Sequence, residues 1–516
     1  MLAVTETIAL EGVRGRRVTI ETDISRGLPY FTVIGLGDAA VKEAAERVRR
    51  ALINSGFDYP KGRITVNLSP AYIHKRGSHY DLGIAAGILL AGRSGQSGRP
   101  EARRAFIGEL ALDGRVLGVR GVLAMVLAAE EGFDEILLPE DNCAELSLLG
   151  GSAGIRLIPV RDLRQVDAHL RGEEIEPYKL CGTAGGDAAG GDAAGCSTNS
   201  APPDFADVRG QRAAKEAIAA AMAGGHSLLL LGPPGAGKTM LARRAPGLLP
   251  PLSAAEQLEV SAIYSAAGML SEEKPFISER PFRQIDKTVT RAQLLGGGSQ
   301  PLPGEVSYAH KGVLFADELL EMDRSVLEAL RLPLEEKSIT ITRGGRSSVF
   351  PADFLFIAAA NPCRCGFLGD ERHRCTCTAA ELEKYRSRLS GPLADRIDMG
   401  LEILRIAYDE LGGEKTQSSA ELRQKVSRAR AVQAERFSGS RQNVSMTEEE
   451  IARFCRADRG GRQLLAGFYR SLGLSPRRYY KLLRLARTLA DMDESEKLRE
   501  EHLALAFQYT RILLKD

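Results

Sequence analysis

A single eight-residue segment constrains the fold of this chain more than any other part of its sequence. Residues 232–239 have the sequence Gly-Pro-Pro-Gly-Ala-Gly-Lys-Thr. They follow the leucine-rich run 227–231 directly and precede a helical pattern that begins at Met240. A strand, a glycine-rich loop and a helix in this order create an anion site, because the loop amides and the helix N-terminus point at the same place. The segment therefore predicts a phosphate-binding loop at the edge of a parallel sheet.

This phosphate loop also predicts how its residues meet a nucleotide. The Lys238 ammonium should reach the β- and γ-phosphates, and the Thr239 hydroxyl should be a ligand of Mg²⁺. An incidental glycine turn is the alternative interpretation. The expected nucleotide-binding residues are Gly232, Pro233, Pro234, Gly235, Ala236, Gly237, Lys238, Thr239 and Met240.

A second motif lies downstream, where the apolar run 312–316 ends in two adjacent carboxylates. Asp317 is expected to hold Mg²⁺, and Glu318 is expected to orient the attacking water. A strand that merely ends in an acidic turn is the alternative, but the phosphate loop upstream favours the functional interpretation. Together the two motifs predict an enzyme that hydrolyses ATP with Mg²⁺.

The length of the chain, 516 residues, requires more than one folded core. A Gly-, Ala- and Asp-rich run at 182–195 indicates a flexible tether. Mixed α/β patterns precede it, strands alternating with helices follow it, and the end of the chain is wholly helical. We therefore predict an α/β domain at 1–178, a linker at 179–203, an α/β nucleotide core at 204–412 and a helical lid domain at 413–516.

Composition sets weaker limits on location and partners. Hydrophobic residues make up 44% of the chain and charged residues 26%, as in a soluble globular protein. No apolar stretch has the length of a membrane span, and the first residues lack the pattern of a secretory signal. We therefore expect a cytoplasmic protein with no membrane partner. The formal net charge of +2 neither favours nor excludes a nucleic acid partner.

Several further segments accompany the two motifs, and their sequences matter in combination. Asp-Phe-Ala-Asp-Val-Arg-Gly-Gln occupies 204–211, Leu-Gly-Gly-Gly-Ser occupies 295–299, Asn-Pro-Cys occupies 361–363, and Ser-Gly-Pro-Leu-Ala-Asp-Arg-Ile-Asp occupies 390–398. Together they resemble the ComM/YifB family of magnesium-chelatase-like AAA+ ATPases over nearly the whole chain. The resemblance implies a homo-hexameric ring with ATP between subunits and an N-terminal domain with the Lon-protease fold. It also implies a DNA motor that drives branch migration during natural transformation.

The resemblance assigns further residues to ATP hydrolysis. Asn361 matches the polar sensor beside the γ-phosphate, Arg396 the arginine finger offered to a neighbouring subunit, and Arg477 the second sensor on the lid. An arginine supplied in trans makes hydrolysis depend on ring assembly. Arg388 competes with Arg396 for the finger, and Arg478 competes with Arg477. A turn cap for Asn361 and solvated helix residues for the lid arginines are the other interpretations.

The Lon-like domain is expected to be proteolytically inactive. Lon-like enzymes use a serine nucleophile activated by a lysine, so both residues are needed. In the matching segments His79 stands in the place of the nucleophile, and Leu123 and Met125 stand where lysines would be. Ser78 is one position away and has no evident base partner. The domain is therefore predicted to be a scaffold.

Four of the eight cysteines lie within fifteen residues, as two Cys-x-Cys pairs. These four, Cys363, Cys365, Cys375 and Cys377, could bind Zn²⁺ as thiolates in a tetrahedral site. A redox-labile pair of dithiols and unliganded thiols are the alternatives. We expect a structural site, because four protein ligands leave no open coordination position.

The target of the motor is expected to be DNA. Residues 338–349 alternate as a hairpin does, with Arg343 and Arg346 on either side of a Gly-Gly tip. Basic hairpin tips in a ring pore suit contact with a phosphate backbone, although a plain solvent-exposed hairpin is the alternative. The predicted function is a helicase or branch-migration translocase that acts on single-stranded or branched DNA. The competing function is a chelatase-type motor that remodels a protein partner without binding DNA.

Overall fold

The computed structural model describes most of the chain as well-formed helices, strands and loops. The described residues are 1–93, 102–129, 132–152, 154–179, 203–298, 301–343, 346–370, 373–389, 391–405, 416–472 and 475–514. They form two compact units: the first combines Met1–Ser197 with Ser253–Ile277, and the second combines Thr198–Leu252 with Ser278–Asp516.

The strands follow the alternating and continuous apolar runs of the sequence. In chain order they are β1 (Leu2–Glu11), β2 (Arg14–Ser25), β3 (Tyr30–Ile34), β4 (Arg63–Ser69), β5 (Arg104–Phe106), β6 (Glu109–Leu110), β7 (Val116–Leu117), β8 (Glu135–Pro139), β9 (Arg156–Val160), β10 (Leu228–Leu231), β11 (Phe282–Ile285), β12 (Gly296–Gly297), β13 (Leu302–Pro303), β14 (Val313–Ala316), β15 (Ser338–Arg343), β16 (Arg346–Pro351), β17 (Leu355–Ala360) and β18 (Met399–Glu402).

The α-helices begin, in several cases, at a serine, threonine or aspartate cap. In chain order they are α1 (Ala39–Asn54), α2 (Asp81–Gly92), α3 (Val122–Ala129), α4 (Leu163–Leu170), α5 (Arg212–Gly224), α6 (Lys238–Arg244), α7 (Ala254–Ala266), α8 (Arg291–Leu295), α9 (Glu305–Tyr308), α10 (Arg324–Ala329), α11 (Arg331–Glu336), α12 (Ala379–Arg386), α13 (Gly391–Ala394), α14 (Ser419–Phe437), α15 (Glu448–Phe454), α16 (Arg459–Leu472), α17 (Pro476–Met492) and α18 (Glu500–Thr510).

The first unit contains a mixed seven-stranded sheet in the order β3-β4-β2-β1-β5-β8-β9. Period-two burial explains its strands: Ile64, Val66 and Leu68 of β4 are all fully buried, while the residues between them are not. Helix α1 starts at Asp38, whose carboxylate accepts a hydrogen bond from the Val41 amide at 3.0 Å. Its apolar residues recur at helical spacing and face the core of the sheet.

Helix α7 packs within the first unit although it lies after the phosphate loop in the sequence. Leu258 packs against the apolar cluster around α3, and the Ser265 hydroxyl donates to the buried Glu145 carboxylate at 2.6 Å. This segment lies within residues 204–412, the range that the sequence predicts to be the nucleotide core. The four domain boundaries remain predictions, and the linker at 179–203 and the junction at 412–413 lie almost wholly outside the described residues.

The second unit is built on a parallel five-stranded sheet in the order β11-β14-β17-β10-β18. The leucines of β10 are buried because the strand is central, which explains the uninterrupted apolar run that precedes the phosphate loop. The same apolar core continues into the C-terminal helices through residues such as Leu482, Leu485 and Leu503. The helical end of the chain thus packs as part of the second unit.

The predicted hairpin is formed by β15 and β16, which pair antiparallel from Ser338↔Pro351 to Arg343↔Arg346. The register puts Arg343 and Arg346 opposite each other at its end. Residues 344 and 345, and the side chains of the two arginines, lie outside the described part of the structure. Within the described ranges, no helix combines the length and apolarity that a membrane crossing requires.

Candidate active site

The phosphate loop joins β10 to α6 and needs its glycines for two different reasons. Gly237 has a φ of 89°, a left-handed conformation that other residues adopt only with strain. Gly232 lies so close to the carbonyl oxygen of Ile403 that a Cβ atom would collide with it. The loop therefore keeps its shape through backbone conformation and close strand packing, as a phosphate-binding loop requires.

The ammonium group of Lys238 contacts the backbone of this loop. It donates to the carbonyl oxygens of Gly232 at 2.6 Å and Pro233 at 3.0 Å, and to Asn361 Oδ1 at 3.2 Å. Burial lowers the pKa of Lys238, while the carboxylates of Asp317 and Glu318 oppose that shift. The cation is thus held in one place by the loop and by the end of β17.

The two carboxylates lie at the end of β14, next to the start of α6. Thr239 Oγ1 donates to Asp317 Oδ2 at 3.0 Å, and the Glu318 amide donates to Asp317 Oδ1 at 3.0 Å. A hydroxyl and a carboxylate side by side are the hard oxygen donors that Mg²⁺ prefers, so these residues fit that ion. Glu318 has a φ of 50° and its Oε2 lies 3.0 Å from Lys287 Nζ. A left-handed non-glycine residue is strained, and such strain clusters at functional sites.

Five of the predicted site residues therefore meet at one edge of the sheet. The carboxyl ends of β14, β17 and β10 are neighbours, and parallel strands present those ends on the same side. The five residues are Lys238, Thr239, Asp317, Glu318 and Asn361. Of the remaining loop positions, Pro233, Pro234, Gly235 and Ala236 complete the turn, and Met240 is exposed on α6.

The predicted arginines have other partners in the described structure. Arg396 donates to the Pro392 carbonyl at 3.0 Å and pairs with Glu335, and Arg477 lies 4.0 Å from Asp395 with half of its side chain exposed. Arg388 donates to the carbonyl of Leu320 at 2.7 Å, and the backbone amide of Arg478 donates to Ser475 Oγ, the cap of α17, at 3.4 Å. The roles assigned to these arginines stay predictions.

The four cysteine sulfurs gather into one cluster. All four Sγ atoms lie within 4.8 Å of one another, and Cys363 lies 3.3 Å from Cys365 and 3.7 Å from Cys375. Backbone amides of Phe367 and Thr376 hydrogen-bond to Cys365 and lower the pKa of its thiol to about 5. Burial and the hydrogen bonds with neighbouring thiols raise the pKa of Cys375 and Cys377 instead. Four sulfurs gathered at this spacing suit a soft divalent cation such as zinc.

In the first unit the residues expected at a protease site have other contacts. The Ser78 hydroxyl donates to the Glu109 carboxylate. Leu123 and Met125 are buried in the apolar core. Burial lowers the pKa of His79 to about 4, so its imidazole is neutral near pH 7. The loss of protease activity remains a prediction.

Two features of the site were missed by sequence reasoning. Lys287 pairs with Glu318, and Gly366 of the cysteine-bearing segment lies against Pro234 of the phosphate loop. Lys287 follows β11, which neighbours β14, so a correct strand order would have brought it near Glu318. The contact of Gly366 has no such signal, because it depends on the path of an irregular loop.

Comparison with known proteins connects the whole chain to one group. The models for magnesium chelatase, subunit ChlI, match residues 20–142, 204–411 and, for the C-terminal part, 416–510. The chain is 41% identical over 514 residues to the uncharacterized protein Rv2897c of Mycobacterium tuberculosis, covering 98% of both chains. It is 38% identical to the uncharacterized protein YifB of Escherichia coli over 517 residues, covering 99% of this chain and 97% of the relative. It is also 38% identical to competence protein ComM of Haemophilus influenzae over 513 residues, with 98% and 97% covered.

Proposed function

The chain belongs to the ComM/YifB family of magnesium-chelatase-like AAA+ proteins, and from this premise we propose that it is an ATP-driven ring motor that acts on DNA. Membership confirms the predicted family and fold class: a Lon-protease-like α/β domain, a P-loop core with a parallel sheet, and a helical lid. The family is one of AAA+ ATPases that use ATP and Mg²⁺. The action on DNA is the finer part of the proposal.

The observation that carries the ATPase chemistry is the meeting of Lys238, Thr239, Asp317, Glu318 and Asn361 at one sheet edge. The Lys238 ammonium binds the β- and γ-phosphates in place of its present carbonyl partners. Thr239 and Asp317 would hold Mg²⁺, which would supply charge neutralisation at the phosphates when bound. Glu318 orients the attacking water and accepts its proton, while Asn361 bonds to the water or the γ-phosphate.

The proposal includes a homo-hexamer in which one subunit completes the site of the next. Arg396, or its competitor Arg388, would stabilise the transition-state charge on a neighbouring ATP, and Arg477 or Arg478 would report on nucleotide from the lid. The Arg396 guanidinium pairs with Glu335 of α11, which is compatible with a role outside its own site. A cytoplasmic location, with access to DNA and ATP, belongs to the same proposal, as does a structural Zn²⁺ at the four cysteines.

The proposed DNA contact is the end of the β15–β16 hairpin, where Arg343 and Arg346 stand opposite each other. Guanidinium groups at such a tip would bind the phosphate backbone without regard to sequence and would be sensitive to salt. The name of one relative, competence protein ComM, fits this proposal. A motor that remodels a protein partner without DNA is the second candidate, because the matching family models are named for a magnesium chelatase subunit.

The test is ATP turnover and nucleotide affinity, measured with and without single-stranded or forked DNA. Lys238→Ala should abolish nucleotide binding, whereas Glu318→Gln should keep binding and lower turnover by about 10²–10⁴-fold. Forked DNA should stimulate the parent chain, and Arg343→Ala with Arg346→Ala should reduce that stimulation and its salt dependence.

Arg324→Ala provides the matched control for the hairpin variants, since Arg324 is also an exposed arginine of the second unit and lies on α10. It should leave stimulation by DNA intact. Turnover that is the same with and without DNA would favour the protein-remodelling motor. Normal turnover of Glu318→Gln would remove Glu318 from its proposed role.

A further inference from the structure

The four cysteines lie in one segment between β17 and α12, residues 361–378, named here the cysteine loop. In addition to the two separations from Cys363, Cys365 Sγ lies 3.5 Å from Cys375 Sγ. Sulfurs bound to one tetrahedral zinc ion at about 2.3 Å lie about 3.8 Å apart. The observed separations of 3.3–3.7 Å are close to that value and far from the roughly 2.05 Å of a disulfide bond.

The cluster brings the two ends of the cysteine loop together. In the described part of this loop there is no helix or strand that could hold it by backbone pairing. Its other ties include the hydrogen bond from the Thr376 amide to Cys365, the stacked rings of Phe367 and His373, with centroids 4.8 Å apart, and the ion pair of Asp370 with Arg405 at 2.8 Å. A metal bound by both Cys-x-Cys pairs would fix the loop at its start and its end, because metal binding free energy adds directly to local folding.

The start of the cysteine loop contacts the phosphate loop. Asn361 accepts the hydrogen bond from Lys238, and Cys363 follows two residues later. Gly366 lies against Pro234 so closely that a Cβ atom would be 2.9 Å from Pro234 Cδ. A displacement of this part of the cysteine loop therefore changes the position of both the loop proline and the Asn361 amide.

The end of the cysteine loop is connected to the acidic strand. Thr378 caps α12 in a reciprocal capping box with Glu381. Just after α12, Arg388 donates to the carbonyl of Leu320 at 2.7 Å, two residues beyond Glu318. The sulfur cluster thus lies in the covalent path between Asn361 and Arg388, the residue that contacts the segment after Glu318.

We infer that a thiolate-bound divalent cation of the zinc class at Cys363, Cys365, Cys375 and Cys377 positions the phosphate loop for ATP, so that loss of this metal slows ATP turnover. The inference rests on the proposed ATPase function and deepens it. The metal takes no part in the chemistry, because four protein thiolates fill its coordination shell. Its effect is to hold Pro234 and Asn361 where the Lys238 ammonium and the phosphates need them.

The experiment uses the full-length protein and measures metal content and ATP turnover separately. Metal content is measured by elemental analysis, and Co²⁺ is added to protein stripped with a zinc-selective chelator under reducing conditions. One zinc ion per chain and the charge-transfer absorption of tetrahedral Co²⁺–thiolate are expected. Turnover with excess Mg²⁺ should fall by about 10- to 100-fold on stripping, as expected for a phosphate loop misplaced by about 1 Å, and should recover when Zn²⁺ is restored.

A pair of double variants separates the cluster from the other thiols. Cys375→Ser with Cys377→Ser should lose zinc and turnover together, while Cys143→Ser with Cys455→Ser, two buried thiols elsewhere, should keep both. If the cluster variant fails to fold, the stripping and reloading of the parent chain still decides the matter. Absence of bound zinc and of the Co²⁺–thiolate spectrum would overturn the site, and unchanged turnover after stripping would overturn its coupling to ATP. Lack of turnover in fully zinc-loaded protein would instead count against the proposed ATPase.

Discussion

Replacing Gly366 with alanine should slow ATP turnover, whereas the same change at Gly369 should not. Both glycines lie in the cysteine loop with positive φ, 86° and 78°. Alanine in this conformation costs about 1–2 kcal/mol at either position. They differ in surroundings: a Cβ at Gly366 would lie 2.9 Å from Pro234 Cδ and 3.0 Å from its Cγ, whereas nothing lies within 4 Å of a Cβ at Gly369.

The contact at Gly366 sets the size of the expected effect. Carbon atoms in ordinary contact are about 3.5–4.0 Å apart, so the new methyl group must push the phosphate loop and the cysteine loop apart by about 0.5–1 Å. The proline ring has no rotamer by which to move aside. A shift of about 1 Å at a reacting centre can reduce the rate by about 10²-fold. We therefore expect Gly366→Ala to lower turnover by about 10- to 100-fold.

The assay compares steady-state ATP turnover and nucleotide affinity of Gly366→Ala, Gly369→Ala and the parent chain at equal zinc content. Thermal unfolding checks that the two variants lose similar stability, since they share the strain of positive φ. Equal turnover of the two variants would refute the reasoning, because it would show that the contact with Pro234 does not position the phosphate loop.

Two further predictions concern charged pairs of the second unit. Lys287→Met should raise basal ATP turnover by no more than about fivefold, because the ion pair with Glu318 is exposed and such pairs contribute about 0.2–1 kcal/mol. A fall in turnover of more than about tenfold would mean that Lys287 contacts the substrate. Burial raises the pKa of Asp353, but Lys337 and Lys311, each 2.9 Å away, hold it at about 2. The two ion pairs of Asp353 stabilise the fold above about pH 4, and this stabilisation is lost as the pH falls through about 2 and the carboxylate is protonated. Asp353→Asn should therefore reduce the free energy of unfolding at pH 7 by about 1–2 kcal/mol, a value discounted because a third of the side chain is exposed. In denaturant titrations, the difference in unfolding free energy between the variant and the parent chain should shrink between pH 4 and pH 2.

The sequence alone predicted the nucleotide core in considerable detail. The order of strand, glycine-rich loop and helix at 227–244 specifies a phosphate loop through local conformation. The family resemblance placed Asn361 beside the γ-phosphate, and the strand order explains why it lies near Asp317: neighbouring parallel strands end at the same sheet edge. The two Cys-x-Cys pairs likewise predicted a cluster, since four cysteines at mirrored spacing lie within fifteen residues of a chain otherwise poor in cysteine.

Only the tertiary structure decided which distant segments touch. It grouped α7 with the N-terminal unit, paired Arg396 with Glu335, joined Lys287 to Glu318 and set Gly366 against Pro234. None of these contacts follows from periodicity or motif spacing, because each depends on strand order or on the path of an irregular loop. Local patterns specify the conformation of a segment through its own backbone and side chains. The partner of that segment is selected by the packing of the whole core, to which residues far apart in the sequence contribute together.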